Sequence, residues 1–226
     1  GGTEREERFA RVLVAAGPRP TITGLGLEAT GLALDNAWLP AADPGTAQCS
    51  DAPIFLAGDA AGHIPLLHEA ADEKRIAGAN AMAWPDVQHA VRRTPLAIAF
   101  TDPQMALVGL RHDQLPAGAH AIGQVSFENQ GRAHVMGRNR GLLRVDASTR
   151  DCTLLGAEMF GPAADHMAHL LAWSVQQRLS VPQALAMPFY HPVLEEGLRT
   201  ALRDLAARLR VHGQCRPEDL ADAPGS

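Results

Sequence analysis

The chain has 226 residues, 46% of them apolar and 20% charged, with a formal net charge of −5. That length allows one large domain or two small ones around a sizeable core. The acidic balance and the 4% aromatic content speak against a nucleic-acid partner, and no run of about 18 uninterrupted apolar residues offers a membrane span.

The start, Gly1 to Arg8, is polar and mixed in charge. It carries no apolar signal core, so a cytoplasmic protein is expected. Residues 11–17 (RVLVAAG) are a short apolar run closed by glycine and predict a buried strand. Pro18 and Pro20 then break regular structure. Residues 54–58 (IFLAG) predict a second buried strand, and residues 67–82, rich in Ala and Glu, predict a helix ended by Trp84-Pro85. The composition changes near Arg92. Five β-like runs follow, at 96–100, 105–110, 121–127, 142–145 and 154–159, separated by turn signals such as Asn129-Gln130-Gly131 and Asn139-Arg140-Gly141. They predict an antiparallel meander. A helix over 163–177 should bury Met167, Leu170, Leu171, Ser174 and Val175, and a helix over 194–209 should bury Leu198, Leu202, Leu205 and Leu209. Residues 212–226 read as a polar tail. The reading is an α/β segment followed by an α+β domain with an antiparallel sheet and helices. Two isolated strands make no stable sheet. Either the residues between them supply strands or upstream sequence is missing.

Several groups could carry chemistry. Gly24-Leu25-Gly26-Leu27-Glu28-Ala29 matches GxGxxA, but prolines precede it and Thr30-Gly31 follows, so it reads as a connector. Asp59, in Gly58-Asp59-Ala60-Ala61-Gly62, follows a predicted strand, where a carboxylate can accept hydrogen bonds from a sugar or ribitol hydroxyl; a capping or turn role stays open. The helix start at Leu66-Leu67-His68 presents free N–H groups to partial negative charge. His191 is a candidate general acid/base, and Glu196 can orient it if the chain turns before the last helix. His166 and His169 lack a third ligand, so no metal site is expected. His63 and Asp102-Pro103 read as loop and turn residues, and Lys74 is the only lysine. Cys49, Cys152 and Cys215 form no CxxC or CxxxxC pair and are expected to be reduced thiols.

Six segments, in order, resemble the FAD-dependent pyridine nucleotide-disulfide oxidoreductases, especially dihydrolipoamide dehydrogenase. They are RVLVAAGPRP at 11–20, the connector at 23–27, PIFLAGD at 53–59, LLHEA at 66–70, TDPQMALVG at 101–109, and His191-Pro192 through Glu196. The resemblance implies the C-terminal half of such an enzyme. Residues 1–91 would close the NAD-binding domain and supply an incomplete, Rossmann-like part of the FAD-binding domain. Residues 92–211 would be the interface domain, and 212–226 a tail. Gly58 and Asp59 would hold the FAD ribitol, and Leu66, Leu67 and His68 would approach the flavin. His191 and Glu196 would exchange a proton with a disulfide/dithiol substrate or lipoyl group across a homodimer. NAD(P) would be the second cofactor, with NAD against NADP undecided. The family's first GxGxxG motif, its CxxxxC pair and its NAD fingerprint are absent from the 226 residues. The chain alone is therefore expected to be an inactive fragment with weak or absent FAD binding. The alternatives are a non-enzymatic dimerisation module, or a glutathione reductase- or mercuric reductase-like member.

Overall fold

The computed structural model describes residues 5–22 and 24–212. The chain divides into two compact units, Gly1–Arg92 and Arg93–Ser226. Of the expected tail over 212–226, His212 is instead the last residue of a helix, and the rest lies outside the described residues.

The second unit is built on five strands, β1 (Leu96–Ala99), β2 (Gln104–Gly109), β3 (His120–Ser126), β4 (Leu142–Ser148) and β5 (Leu154–Gly161). Every predicted run becomes a strand, and every pairing is antiparallel. The order is β1-β2-β5-β4-β3, which corrects the simple meander. β3, β4 and β5 follow one another as neighbours, but β2 pairs with β5, so the chain after β2 crosses to the far edge. That connection carries Pro116 and a short 3-10 turn over His112–Gln114. It is too long for the two-residue hairpin that would pair β2 with β3.

The sheet has one packed face. Along β2, Ala106 and Val108 are buried while Met105 and Leu107 are exposed, the alternation that the pleat imposes. Helices α3 (Ala164–Gln176), α4 (Val181–Leu185) and α5 (Glu196–His212) follow the sheet. Helix α3 packs on β1, β2 and β5, and α5 on β3 and β4. On α5 the predicted stripe of Leu198, Leu202, Leu205 and Leu209 is buried. Gly123 on β3 permits this packing, because a Cβ there would lie 2.2 Å from the Ala201 carbonyl oxygen. On α3 the buried face is shifted from the expected one. Met167 and Leu171 are inside with Ala164, Ala168 and Ala172, while Leu170 is 40% exposed and Ser174 and Val175 are half-buried. The alanines let the helix approach the sheet closely, with Met167 and Leu171 filling the space between them. A short helix α2 (Gly131–Val135) is capped by Gln130, whose Oε1 accepts from the Ala133 N–H at 2.7 Å.

The first unit corrects two strand predictions. Residues 11–17 pair with nothing among the described residues, and Val12, Leu13 and Val14 are largely exposed. In the 54–58 run only Phe55 is bridged, to Gln48. A strand is stable when neighbours take its N–H and C=O groups, and among its described residues the first unit offers no sheet, only the short pairing of 54–56 with 47–49. The predicted helix does form, as α1 (Leu67–Ala83). It buries polar residues, Glu69, Glu73 and Asn80, and exposes Leu67 and Met82. The Asn80 amide donates to the carbonyls of Thr46 and Gln88, both at 2.9 Å, and its Oδ1 accepts from the Gln88 N–H. Gly26 and Gly31 flank a 3-10 turn over Leu27–Thr30, so GxGxxA is a connector, as expected.

Cys49 is a buried free thiol whose pKa is raised by burial. Cys152 is disulfide-bonded, which corrects the expectation of reduced thiols throughout; Cys215 lies outside the described residues. Among the described residues no helix is long and apolar enough to cross a membrane.

Candidate functional site

His191 stands in the loop before α5, joined to Pro192 by a cis bond, and Glu196 is the first residue of the helix. The intervening chain turns back on itself. Glu196 Oε1 lies 2.9 Å from His191 Nδ1, and Oε2 accepts the Val193 N–H at 3.2 Å. The hydrogen bond from His191 holds the Glu196 carboxyl below the usual carboxylate range; burial opposes this, and the Val193 N–H and the charges of His191 and Arg199 reinforce it. An anionic acceptor on Nδ1 fixes the tautomer with Nε2 outward. No side chain among the described residues occupies Nε2, and the His191 side chain is 79% exposed. The pair is an oriented imidazole that can take or give a proton at Nε2 to a partner from outside this chain.

The other predicted residues lie in the first unit. Gly58 has φ 66°, and a Cβ there would meet the Ala70 Cβ at 3.2 Å, so glycine lets the turn over Gly58–Ala61 lie against α1. The Gly58 N–H donates to Glu73 Oε2 at 2.7 Å. Asp59 is exposed, and its carboxylate has no hydrogen bond among the described residues. The capping role is not realised, because the N-cap of α1 is Leu66, with no side-chain cap. Leu67 and His68 occupy the open first turn, both exposed. An uncommitted carboxylate and an uncapped helix start suit a polyhydroxyl chain and an electron-rich ring edge.

Two clusters were invisible to spacing arguments. Arg92 spans α1, pairing with Glu69 and, at 3.2 Å, with Glu73. Burial works against its charge, but the hydrogen bonds it donates to both glutamates outweigh this and raise the Arg92 pKa. In the second unit, His112, His120 and Asp146 place potential ligand atoms within 4.8 Å of one another. No short motif joins these residues; the pairing of β3 with β4 brings His120 near Asp146, and the 3-10 turn of the connection after β2 brings in His112. His166 and His169 face Asp165 instead, His169 Nδ1 lying 2.7 Å from its carbonyl oxygen.

Residues 94–202 match the dimerisation domain of the pyridine nucleotide-disulphide oxidoreductases. The chain is 30% identical over 216 residues to dihydrolipoyl dehydrogenase 3 of Pseudomonas aeruginosa, covering 92% of this chain and 44% of that protein. It is 29% identical over 202 residues to dihydrolipoyl dehydrogenase of Haloferax volcanii, covering 88% and 42%. Among solved structures, LpdA of Mycobacterium tuberculosis superposes with a TM-score of 0.69 at 27% identity, over 81% of this chain and 40% of that one. The HOCl-induced flavoprotein disulfide reductase RclA of Escherichia coli, at 20% identity and TM-score 0.67 over 84% and 43%, shares the fold. The chain thus spans less than half the length of the relatives it matches. Sequence, sheet and helices agree on one assignment: the chain belongs to the pyridine nucleotide-disulphide oxidoreductase family and carries its dimerisation domain.

Proposed function

We propose that this chain supplies the acid/base pair, the dimer interface and part of the FAD site of a flavin-dependent dithiol/disulfide oxidoreductase acting with NAD(P), similar to dihydrolipoyl dehydrogenase. The 2.9 Å contact between His191 and Glu196, with Nε2 left outward, carries the reading. When bound, FAD would supply the electron-accepting ring. Asp59 would hold its ribitol, and the N–H groups at Leu66, Leu67 and His68 would face its electron-rich edge. His191 would take a proton from the substrate thiol, and Glu196 would stabilise the imidazolium. Met105, Leu107, Leu142 and Phe160 make an exposed apolar face on the sheet, suited to a second copy of the chain.

By itself the chain is expected to turn over no lipoamide with NADH and to bind FAD weakly or not at all, yet to sediment as a dimer at micromolar concentration. Turnover would overturn its inactivity, and a monomer would overturn the interface. In a longer protein carrying the flavin and redox-cysteine segments, His191→Gln should lower kcat about 100- to 10,000-fold while flavin absorbance is kept. A loss below tenfold would remove His191 from the chemistry. The unpaired, exposed residues 11–17 favour a second reading of the isolated chain, a dimerisation module whose flavin side is incomplete.

A further inference from the structure

Asp146 lies on β4, on the same sheet face as Leu142 and Arg144 by the alternation of the strand. That face is largely open, yet Asp146 is 1% exposed. Its Oδ1 is 3.1 Å from His112 Nδ1 and 3.6 Å from His120 Nε2, while its Oδ2 has no hydrogen-bond partner among the described residues. The two imidazoles are the only side chains paired with it among the described residues. A carboxylate this buried requires a cation or neutralisation.

The tautomers sharpen the requirement. His120 Nδ1 lies 3.0 Å from the Pro116 carbonyl oxygen, an acceptor, so Nδ1 carries the proton. A neutral His120 therefore turns its Nε2 lone pair toward Asp146 Oδ1. Two acceptors face each other unless a positive centre lies between them. His112, in the 3-10 turn, is held by its own N–H, which donates to Glu158 Oε1 at 3.1 Å. The two rings meet edge to face with centroids 5.1 Å apart.

We infer that His112, His120 and Asp146 form a divalent transition-metal site of the zinc type, pinning the connection between β2 and β3 onto β4. Tetrahedral ligands at about 2.0–2.1 Å from zinc stand roughly 3.3–3.4 Å apart. The two separations from Asp146 Oδ1, 3.1 and 3.6 Å, bracket that edge. Two imidazole nitrogens and one carboxylate oxygen favour zinc, cobalt, nickel or copper over calcium and magnesium, which take oxygen ligands. The Pro116 carbonyl would be the outer partner that orients a ligating histidine. Three protein ligands leave one position for water. The site is independent of the flavin reading.

The experiment is calorimetric titration of the chelator-treated full chain with Zn2+ alone, paired with thermal melts. One equivalent should bind and raise Tm. His112→Gln, at a ring one-third exposed, and Asp146→Asn should each weaken zinc at least tenfold, whereas His166→Gln should leave it unchanged. If Asp146→Asn does not fold, His112→Gln decides. No saturable binding, as expected if protonated imidazoles alone meet the Asp146 charge, overturns the site. So does an affinity that His112→Gln leaves intact.

Discussion

The two units of this chain form secondary structure under different rules. The second has a sheet whose buried face is apolar, with Phe127, Leu143, Met167 and Leu205 sealed inside. In the first, the buried apolar residues are few and mostly small: Ile22, Ala42, Ala47, Cys49 and Ala61. What α1 buries is charge and amide, organised by Arg92 and Asn80. A helix satisfies its own backbone, so α1 forms without a sheet to lie on. A strand does not, so the apolar runs at 11–17 and 54–58 find no ladder. Their sequence signal is as strong as that of β1 or β5. What differs is the set of partners present.

The largest effect that separates the units should come from truncating their helices. Leu205→Ala removes a fully buried side chain that packs beside Gly123, and should cost about 3–4 kcal/mol in urea denaturation. Met82→Ala in α1, where the side chain is 92% exposed, should change stability by less than about 0.5 kcal/mol. A Met82→Ala cost near that of Leu205→Ala would mean that α1 has an apolar partner, and the contrast would fail.

A somewhat smaller effect should come from Arg92→Met. It leaves two buried carboxylates, Glu69 and Glu73, without their cation. Such a loss costs about 3–5 kcal/mol in a dry interior; at a guanidinium 23% exposed, about 2–3 kcal/mol is expected. Hydrogen exchange should speed up across α1 and stay unchanged in β4 and β5. Equal acceleration in both units would show that they unfold as one body.

The same contrast decides what could be read from sequence. The five strands of the second unit were legible because each is a local run between turn formers. Their order was not, because the pairing of β2 with β5 links residues about 50 apart. The His191–Glu196 pair was legible because its members are five residues apart and the turn between them is short. The cluster at Asp146 was not, since His112 is 34 positions away and returns only through the 3-10 turn of the connection between β2 and β3. The stripes of α5 and α3 both keep helical periodicity; on α3 the expected face was offset, because it favoured Leu170 over the alanines at 164, 168 and 172 that the helix buries. In the first unit the helix was local and correctly placed, while its inverted burial depended on Arg92, nineteen residues beyond Glu73.

The smallest expected effect concerns acid. Glu196 is held below the ordinary carboxylate range by the His191 hydrogen bond, against burial and with the help of the Val193 N–H. In the first unit, Asp43 is likewise depressed: burial pushes it up, but the N–H groups of Thr46 and Gly45 outweigh that. A group whose folded pKa is lowered adds stability above its unfolded value, near 4.3 for glutamate, and loses it as pH falls through the folded value. Glu196→Gln keeps an acceptor for His191 but cannot ionise. Its Tm deficit against the parent chain should be no more than about 2 °C at pH 7, since the pair is largely exposed, and should vanish as pH falls below about 4. Asp43→Asn should follow the same course in the first unit, with little effect on exchange in α5. If the Glu196→Gln deficit persisted unchanged into acid, the carboxylate charge would not be what anchors the imidazole, and shape alone would have to hold the pair.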